Sequence, residues 1–553
     1  MVKEQYELWC KKAVLDSDLI LELKEIKDNE EAITEAFYQD LSFGTAGLRG
    51  IIGAGTNRMN IYTVGRASQG LAAYVNSVAQ NGKIAIAYDS RIKSDLFAKT
   101  AASIFAANGI KVYLYKELMP VPMLSFAIRR LGCDAGVVVT ASHNPAKYNG
   151  YKVYGNDGCQ ISPEVAKEIL AVIDQTDVLK GAKTCNYETA VSEKNILLIP
   201  ESFWRRFYAR VLKEGVDREH HSLNDLHVVY TPLNGTGAIP VVNTLSLAGF
   251  GNIEMVREQE KPDGAFPTCP FPNPELREAL SLALKQAEAS GADLVLATDP
   301  DADRVGIASR EKDGFRLFSG NEVGALLLDF IASAREENGT MPENPVAVRS
   351  LVSTKLADAV AAGHGIEMKS VFTGFRFIGK VIAELEAIEQ PERFIFGFEE
   401  SCGYLSGTYV RDKDAVDASL LICEAANFWK LRGKTLGEAL EEIQAKYGYY
   451  YDFQDNFYCE GADGAKRIAK IMSDLREEAP KAVCGKAVVD AKDYKPDATM
   501  IEYTLEGGSS FIVRPSGTEP KLKIYYSVKA ADFESAKTEG QAIKAEVTAM
   551  LGF

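Results

Sequence analysis

One serine stands where an open α/β sheet would hold a ligand. The apolar run GVVV at residues 136–139 leads directly into TASHNP at residues 140–145. Glycine-flanked valines predict a buried strand, and ligands bind to polar loops at the carboxyl ends of such strands. Ser142 offers a hydroxyl nucleophile there, and His143 offers an imidazole beside it. Because Ser, Asn and Pro also form turns, a plain turn is the competing interpretation of these residues alone.

Three carboxylates alternate along a second loop. Asp299, Asp301 and Asp303 follow the apolar run at residues 294–297, and an arginine comes directly after them. Clustered carboxylate oxygens suit Mg²⁺ or Ca²⁺, and without a cation they would repel one another and raise their pKa values. An EF-hand is excluded because its sixth and twelfth positions would hold arginine. Metal binding is favoured over a solvated acidic turn, and a phosphate carried by Ser142 could fill an open coordination position.

A third loop has the composition of a phosphate cradle. RPSGTEPK at residues 514–521 combines an arginine fork, two hydroxyls and a glycine that lets the backbone approach closely. It is not a Walker A loop, because GxxxxGK[ST] is absent. A simple turn rich in Pro, Ser and Gly is the alternative. A further glycine-rich turn, FGTAGLRG at residues 43–50, also contains an arginine but says little on its own.

Bulk composition argues against several classes of protein. The chain has 553 residues, of which 46% are hydrophobic and 25% charged. This length suits about three to five domains. The net charge of −15 argues against nucleic acid or an anionic membrane as a partner. Nine cysteines without a Cys-x-x-Cys pair predict free thiols in a reducing compartment. The sequence shows neither a signal-peptide pattern nor a run of membrane-spanning length, so we expect a cytoplasmic protein.

The elements that would position these loops repeat three times. Each copy alternates apolar strands with helical stretches, which predicts parallel sheets with right-handed crossovers. The predicted strands are residues 83–88, 111–115 and 136–139; 226–230, 252–256 and 293–297; and 346–349, 369–372 and 394–396. The predicted helices of the first two copies are residues 94–108, 121–131, 238–248 and 275–290.

In each copy the third strand runs into a polar loop, at residues 140–145, 298–304 and 397–401. Three equivalent sheet ends with different chemistries predict one cleft shared by three related domains. The C-terminal part has another pattern, α+β. Its predicted strands are residues 487–489, 500–503, 510–513 and 523–528, and its predicted helices are residues 465–475 and 533–550.

We therefore predict an α/β fold, with three related doubly wound α/β domains and a C-terminal α+β domain arranged around one central cleft. Linkers are predicted near residues 200–204, 319–323 and 447–453. The domain boundaries that follow are residues 1–203 for the serine loop, 204–321 for the acidic loop, 322–448 for the third polar loop and 449–553 for the phosphate cradle.

Four loops together resemble the signatures of the α-D-phosphohexomutase superfamily, the phosphoglucomutases and phosphomannomutases, in the order of that family. They are the phosphoserine loop at 140–145 with YNGYK at 148–152, the metal loop at 299–304, the sugar-specificity loop GFEES at 397–401 and the phosphate loop at 514–518. The resemblance covers essentially the whole chain. Further similarity at residues 43–49, 231–237 and 371–376 points to the branch of phosphoglucomutase-2-like and phosphopentomutase enzymes.

The resemblance implies a phosphoglucomutase activity, the interconversion of glucose 1-phosphate and glucose 6-phosphate through a phosphoserine at Ser142. Glucose 1,6-bisphosphate would be the intermediate or activator. Mg²⁺ would be held by a phosphate oxygen on Ser142 and by three carboxylates, those of Asp299, Asp301 and Asp303. Two departures from the family pattern are Pro300, where many members have glycine, and the sequence GFEES, which leaves the role of Glu400 open.

Further site residues are also implied by the resemblance. Lys152 or Lys413 would be the general acid/base, and Arg304 would be the neighbouring cation. His143 would either contact the phosphate or cap the turn. The implied substrate-binding residues are Arg49, Thr373, Gly374, Arg376, Glu399, Ser401, Arg514, Ser516, Gly517 and Thr518.

Several alternatives remain at this point. A phosphomannomutase or a phosphopentomutase would use the same mechanism on another sugar. A phosphatase is disfavoured because it does not need a second phosphate cradle, and a non-catalytic sugar-phosphate binding protein is disfavoured by the intact serine, aspartates and lysine. The expected partners are small sugar phosphates, with neither nucleic acid nor membrane, and the protein would be a monomer or a homodimer.

Overall fold

The structure, a computed structural model, describes residues 2–44, 46–217, 220, 225–459, 461–516 and 521–553. Within these residues the strands form four separate sheets, one in each of four successive parts of the chain, the first, second, third and C-terminal units. Among the described helices, none combines the length and apolar character needed to cross a bilayer.

Three helices precede the first sheet and pack around the buried Trp9, whose ring meets those of Phe37 and Tyr62 edge-on. They are α1 (Val2–Lys12), α2 (Ser17–Glu25), which continues into a 3₁₀ turn (Ile26–Asp28), and α3 (Glu30–Phe37).

The first sheet has six strands in the order β1-β5-β4-β2-β3-β6. Strands β4, β2, β3 and β6 run parallel to one another. At one edge, β5 pairs antiparallel with β4, and β1 pairs antiparallel with β5. Its elements are β1 (Gly47–Ile51), α4 (Ile61–Val78), β2 (Lys83–Tyr88), α5 (Ser94–Ala107), β3 (Lys111–Tyr115), α6 (Val121–Leu131), β4 (Ala135–Val139), β5 (Tyr148–Gly155), α7 (Pro163–Gln175), α8 (Tyr187–Ser192) and β6 (Ile196–Ile199).

The second sheet has five strands in the order β11-β10-β9-β7-β8. Strands β8, β7 and β9 are parallel to one another. Strand β10 pairs antiparallel with β9, and β11 pairs antiparallel with β10. The elements are α9 (Glu201–Val211), β7 (Val228–Thr231), α10 (Ala238–Leu247), β8 (Ile253–Met255), α11 (Arg257–Glu260), α12 (Ser281–Ser290), β9 (Leu294–Thr298), β10 (Val305–Glu311) and β11 (Gly314–Phe318).

The third sheet has four strands in the order β13-β12-β14-β15, with β15 antiparallel to its neighbour. The elements are α13 (Gly320–Glu337), β12 (Val346–Ser350), α14 (Leu356–Gly363), β13 (Glu367–Val371), α15 (Phe375–Ala387), a 3₁₀ turn (Pro391–Arg393), β14 (Phe394–Glu399), β15 (Gly403–Leu405), α16 (Ala415–Leu431) and α17 (Leu436–Tyr447).

The C-terminal sheet is antiparallel, with six strands in the order β16-β21-β20-β19-β18-β17. The elements are β16 (Tyr449–Tyr458), α18 (Gly461–Glu477), β17 (Ala482–Val483), β18 (Lys486–Asp493), β19 (Ile501–Leu505), β20 (Ser510–Pro515), β21 (Lys521–Ala530) and α19 (Phe533–Met550).

A shared motif links the first three sheets. In each of them a strand from the parallel part is followed by a short loop and an antiparallel strand, as in β4–β5, β9–β10 and β14–β15. These loops are three of the polar loops picked out in the sequence. Each loop is therefore held at both ends by paired strands, which limits how far its side chains can move.

The units do not each have a separate apolar core, because one cluster of buried side chains extends across several of them. One continuous cluster of buried side chains runs from Phe126 on α6 and Phe207 on α9 through the second and third units to Tyr450 on β16. Backbone hydrogen bonds also cross between units, since the Val121 N–H donates to the Asp301 carbonyl oxygen at 3.0 Å. The Val305 N–H donates to the Cys402 carbonyl oxygen at 3.1 Å. The polar loops thus meet on a rigid common base.

The α/β class and the three related units with a distinct C-terminal unit are confirmed, but several local predictions were wrong. The first three sheets were predicted to be parallel but are mixed, because each contains antiparallel strands that were not predicted. The helix predicted at residues 275–290 begins only at Ser281, after a segment of turns. The linker predicted near residues 447–453 falls largely within β16, and the one near 319–323 forms the cap and first turn of α13. Gly397 to Glu399 of the third loop belong to β14.

Candidate active site

Ser142 lies at the start of the loop between β4 and β5, in an unusual backbone conformation. Its φ is +51°, in the left-handed region that costs a non-glycine residue about 1 kcal/mol or more. The Ser142 N–H donates to Thr140 Oγ1 at 2.9 Å, which stabilises this turn. The Ser142 hydroxyl in turn donates to Asp299 Oδ2 at 2.8 Å. The serine of the first unit is thereby aimed at the carboxylates of the second.

Arg91, in the loop after β2, fixes the path of the serine loop. Its guanidinium is buried and donates to four backbone carbonyl oxygens of the loop, those of Ser142, Asn144, Pro145 and Tyr148. It also pairs with Asp89 at 3.4 Å and lies 5.0 Å from the centre of the Phe266 ring. Arg91 was not among the site residues predicted from the sequence. The signal was available, because Asp89-Ser90-Arg91 follows a predicted strand of the same sheet.

Asp299, Asp301 and Asp303 form one compact, buried cluster. Each contributes a carboxylate oxygen, and these oxygens lie within 4.8 Å of one another. The side chain of Asp299 folds back so that its Oδ1 accepts hydrogen bonds from the backbone N–H groups of Asp303 and Arg304, at 3.2 and 3.1 Å. Thr140 Oγ1 donates to Asp301 Oδ2 at 3.1 Å, which ties the cluster to the serine loop.

The cluster has the properties expected of a divalent-cation site. Asp301 Oδ1 and Asp303 Oδ1 are buried and make no hydrogen bond within the described part of the chain. Burial raises the pKa of Asp299 well above its ordinary value, and repulsion from the other two carboxylates raises it further. A hard cation with oxygen ligands would satisfy the unpaired oxygens and offset this repulsion. The donor set therefore fits Mg²⁺ or a similar ion.

Two lysines approach the cluster from different units. Lys152 on β5 donates to Asp301 Oδ2 at 2.9 Å, and its side chain remains 15% exposed. Lys413 lies between Asp303 at 2.9 Å and Asp412 at 3.2 Å. Burial by itself would lower the pKa of Lys413, but these two carboxylates outweigh it and hold the pKa above its ordinary value.

His143 and Arg304 border the same space. The His143 Nδ1 atom lies 3.3 Å from Ser142 Oγ and 4.0 Å from Asp299 Oδ2. Burial, followed by the charge of Arg304, lowers the pKa of His143 well below its ordinary value, so the imidazole is neutral. The Arg304 guanidinium lies 3.7 Å from Asp303 Oδ1 and 3.7 Å from Glu275 Oε1. Glu275 is a further site residue that the sequence did not reveal.

The third polar loop brings Glu399 and its neighbours to the site. Glu399 Oε1 accepts a hydrogen bond from the Gly374 N–H at 2.6 Å. Burial, with repulsion from Glu400, raises the pKa of Glu399 to about 7. Thr373 Oγ1 is buried and unpaired within the described residues, and Ser401 is half-buried.

Glu400, whose role was left open, has a partner inside the third unit. Its Oε2 accepts a hydrogen bond from Ser350 Oγ at 2.9 Å. The Ser350 hydroxyl also lies 2.9 Å from Ser353 Oγ. Glu400 therefore connects the polar loop to the end of β12, while Glu399 is the acidic side chain bonded to the Gly374 backbone.

The C-terminal sheet contributes cations to this side of the molecule. Arg514, at the end of β20, donates to the Tyr525 hydroxyl at 3.4 Å, and the Ser516 N–H donates to the Lys521 carbonyl oxygen at 2.8 Å. Gly517 and Thr518 lie outside the described residues. Lys523 faces Arg514 across the strand pair, and burial together with the charges of Lys521 and Arg514 lowers its pKa. Lys523 was not picked out from the sequence.

Two predicted substrate-binding arginines lie at different places. Arg49 is on β1, in register with Gly150 beside the serine loop, and is exposed. Arg376, in the first turn of α15, lies over the Phe377 ring at 4.9 Å and lines a cavity of about 1360 Å³ that also contains Glu164. The lining of this cavity includes neither Ser142 nor the cluster of Asp299, Asp301 and Asp303. The structure does not bring Arg376 to the carboxylate cluster.

Models of four protein domains match this chain in order. They describe phosphoglucomutase/phosphomannomutase α/β/α domain I at residues 40–180, domain II at 206–314, domain III at 319–447 and the C-terminal domain at 466–536. The phosphoglucomutase of Staphylococcus haemolyticus (strain JCSC1435) is 37% identical over 525 residues, which is 91% of this chain and 93% of that protein. The phosphoglucomutase of Staphylococcus aureus (strain MRSA252) is 36% identical over 552 residues, 96% of each chain.

A solved structure has the same architecture. The open form of parafusin, a phosphoglucomutase from Paramecium, superposes with a TM-score of 0.69 at 17% identity, over 93% of this chain and 94% of that one. The fold and the four matched domains together define an enzyme that transfers a phosphoryl group within its substrate, an isomerase by class. The chain belongs to the phosphoglucomutase/phosphomannomutase family of the α-D-phosphohexomutase superfamily, as its four sequence signatures predicted.

Proposed function

We propose that this protein interconverts glucose 1-phosphate and glucose 6-phosphate, with Ser142 as the residue that gives and retakes the phosphoryl group. The observation that carries the proposal is the 2.8 Å contact between Ser142 Oγ and Asp299 Oδ2. It joins a hydroxyl from one unit to a metal-type carboxylate cluster from another. The two staphylococcal relatives, named phosphoglucomutase, support glucose phosphates as the substrates.

The reaction balances in two transfers. In the first, the 6-hydroxyl of glucose 1-phosphate attacks the phosphorus on Ser142, so that an O–P bond to the sugar forms as the O–P bond to serine breaks. The sugar hydroxyl loses its proton, and the serine oxygen gains one. Glucose 1,6-bisphosphate then turns round, and the Ser142 hydroxyl attacks the phosphate at C1. Glucose 6-phosphate leaves with its C1 oxygen protonated, and Ser142 carries a phosphoryl group again.

Lys152 is the residue we assign to these proton transfers. Its amine projects from β5 next to the serine loop and keeps some exposure to the cleft. Lys413, by contrast, is held by two carboxylates and lies 6.0 Å from the centre of the Phe375 ring. We assign Lys413 to positioning the cluster. His143, being neutral, is assigned to a hydrogen bond with Ser142 Oγ.

The carboxylate cluster is proposed to hold Mg²⁺. Its residues would be Asp299, Asp301 and Asp303, with a phosphate oxygen on Ser142 as a further ligand. When bound, Mg²⁺ withdraws charge from the phosphoryl group and so eases its transfer. Arg304 adds a fixed positive charge at the edge of the same space.

We assign binding of the sugar to the third unit, and binding of the phosphate group that is not reacting to the C-terminal unit. Glu399, Ser401 and the 373–374 turn would accept and donate hydrogen bonds to the sugar hydroxyls. The phosphate that is not reacting would be gripped by Arg514, Ser516, Gly517, Thr518 and, as an addition from the structure, Lys523. The same phosphate-binding residues would serve both orientations of the bisphosphate. We also propose four domains that follow the separation of the four sheets. The predicted boundary 448/449 lies directly before β16, whereas 203/204 and 321/322 fall inside α9 and α13, so we place these two boundaries before the helices, at 200/201 and 319/320.

A substrate panel tests the proposed reaction. The 1-phosphates of glucose, mannose, ribose and N-acetylglucosamine are each given to the enzyme, with and without glucose 1,6-bisphosphate, and products are resolved by NMR. We expect glucose 1-phosphate to have the highest kcat/KM, and the bisphosphate to shorten any lag. A higher value for mannose or ribose phosphate would assign the enzyme to the other sugar, and release of inorganic phosphate at the turnover rate would indicate a phosphatase.

A further inference from the structure

A second pocket lies on the molecule away from the carboxylate cluster, where the first three units meet. Its volume is about 580 Å³, and no residue of the site described above lines it. The walls come from α6, from α9 with the residues that follow it, from α15 and from the 408–409 turn. This volume is within the range of small-ligand sites, about 300–1,000 Å³.

Positive charge dominates the walls of this pocket. Five of the side chains that line it are basic and one is acidic, in a chain whose net charge is −15. The basic residues are Arg129, Arg130, Arg206, Arg210 and Lys213, and the acidic one is Glu386. Such a concentration of one sign within a concave, partly apolar surface creates a local potential that attracts anions.

Two carboxylates, those of Glu386 and Glu214, pair with arginines of the pocket. Glu386 is shared by two guanidinium groups, because it pairs with Arg129 at 2.9 Å and also with the buried Arg411. Arg210 pairs with Glu214. Within the described part of the chain, the side chains of Arg130 and Arg206 are exposed and make no hydrogen bond or ion pair, so their donors are available to a ligand.

The floor of the pocket is aromatic and rigid. Phe126 and Tyr409 are buried, and the Arg210 guanidinium lies 5.4 Å from the centre of the Tyr409 ring. Tyr409 is fixed from below, since its hydroxyl donates to Asp414 Oδ2 at 2.6 Å. Planar guanidinium groups match the oxygen geometry of phosphate groups better than the ammonium groups of lysines do.

We propose that this pocket is a binding site for a small, multiply charged phosphate anion, separate from the active site. The inference does not depend on which sugar the enzyme isomerises. Arg129 on α6 and Arg210 on α9 are already oriented by their carboxylates. Arg130 and Arg206, whose side chains are unpaired within the described residues, supply the main contacts to a ligand with two or more phosphate charges.

The test is a titration of inorganic pyrophosphate into the full-length protein, followed by calorimetry in magnesium-free buffer at about 0.15 M ionic strength. Three proteins are compared: wild type, the pocket variant Arg130→Gln/Arg206→Gln, and the control Lys466→Gln/Lys470→Gln. The control removes the same charge from an exposed face of α18, where both lysines are more than two-thirds exposed. Thermal unfolding of each protein checks that it is folded.

We expect wild type and control to bind pyrophosphate alike, and the pocket variant to lose at least about tenfold in affinity for one class of sites. An Arg514→Gln variant should keep that class, because Arg514 belongs to the active site. The proposal is overturned if wild type does not bind pyrophosphate, if the pocket variant binds as wild type does, or if the control loses as much affinity as the pocket variant.

Discussion

Ser142 and the three aspartates are each unfavourable in isolation. The serine has a left-handed backbone, and the carboxylates are buried close together. Strained backbone and clustered buried charge persist where surrounding structure compensates for them, and they concentrate at functional sites. The compensation here comes from Thr140, whose hydroxyl accepts from the serine N–H and donates to Asp301. One side chain thus stabilises both features.

A change at Asp301 tests the metal assignment. Asp301→Asn keeps the shape of the side chain but removes the charge next to Lys152. We expect the concentration of Mg²⁺ needed for half-maximal activity to rise, and kcat to fall, each by more than about tenfold, because even indirect partners of a metal are worth that much. Asp313→Asn, in the exposed turn between β10 and β11, is the control. Full activity of the wild type in a chelator would exclude a metal requirement.

The titration of Glu399 makes a pH-dependent prediction. Burial raises the pKa of this carboxyl to about 7, so it is neutral below that pH and charged above it. A charged carboxylate accepts stronger hydrogen bonds from sugar hydroxyls, so KM should fall as the pH rises from about 6 to about 8. In Glu399→Gln this dependence should disappear, with KM at the higher pH raised about tenfold. Glu384→Gln, a change of an exposed side chain, is the control. An equal change of KM with pH in wild type and Glu399→Gln would contradict the assignment of Glu399 to the sugar.

At the scale of elements, the loop between two paired strands is the unit that carries chemistry. The serine loop, the acidic loop and the third polar loop each follow a strand from the parallel part of a mixed sheet and lead into an antiparallel strand. The loops are short, so their side chains are positioned by the sheets. Where a loop is longer, as after β4, an extra group is needed to hold it, and Arg91 supplies that group.

Arg91→Lys tests this role. Lysine keeps the positive charge but cannot place a planar fork of donors against several carbonyl oxygens. We expect kcat to fall by about tenfold or more while KM changes little, because small displacements of a reacting group are costly. We also expect the free energy of unfolding to fall by about 2 kcal/mol. Arg58→Lys, at a partly exposed ion pair, is the control. An unchanged kcat in Arg91→Lys would show that the serine loop does not need the guanidinium group of Arg91.

Much of this could be predicted from the sequence, and the reasons for the failures are specific. The buried strands of the parallel part were found because valine and isoleucine runs are unambiguous, as in β4. The following antiparallel strand β5 was missed because its sequence YNGYKVYG contains residues that are rare in strands. The partners of Arg91 are backbone carbonyl oxygens, which leave no pattern in the sequence, so only its position directly after a predicted strand could have indicated a role. Contacts between units, such as Thr140 with Asp301, depend on the tertiary fold alone.

At the scale of the whole molecule, the units are joined in ways that make one site. The Ser142 hydroxyl, the aspartates and Glu399 come from three sheets that share one apolar core. The C-terminal unit reaches this core at Tyr450 of β16. It is also attached through a smaller apolar contact of Val352 with the C-terminal sheet, and through the Lys355–Glu502 ion pair at 2.9 Å. Contacts between all four units therefore allow their side chains to border one site.

The central claim is that Ser142 carries the phosphoryl group, and one measurement tests it most directly. The enzyme is incubated with radiolabelled glucose 1,6-bisphosphate, quenched and digested, and the label is located by mass spectrometry. The account predicts a phosphoryl group on the peptide that contains Ser142, its transfer to added glucose 1-phosphate, and loss of both label and isomerase activity in Ser142→Ala. Turnover by Ser142→Ala at the wild-type rate, or label on another residue during turnover, would contradict it.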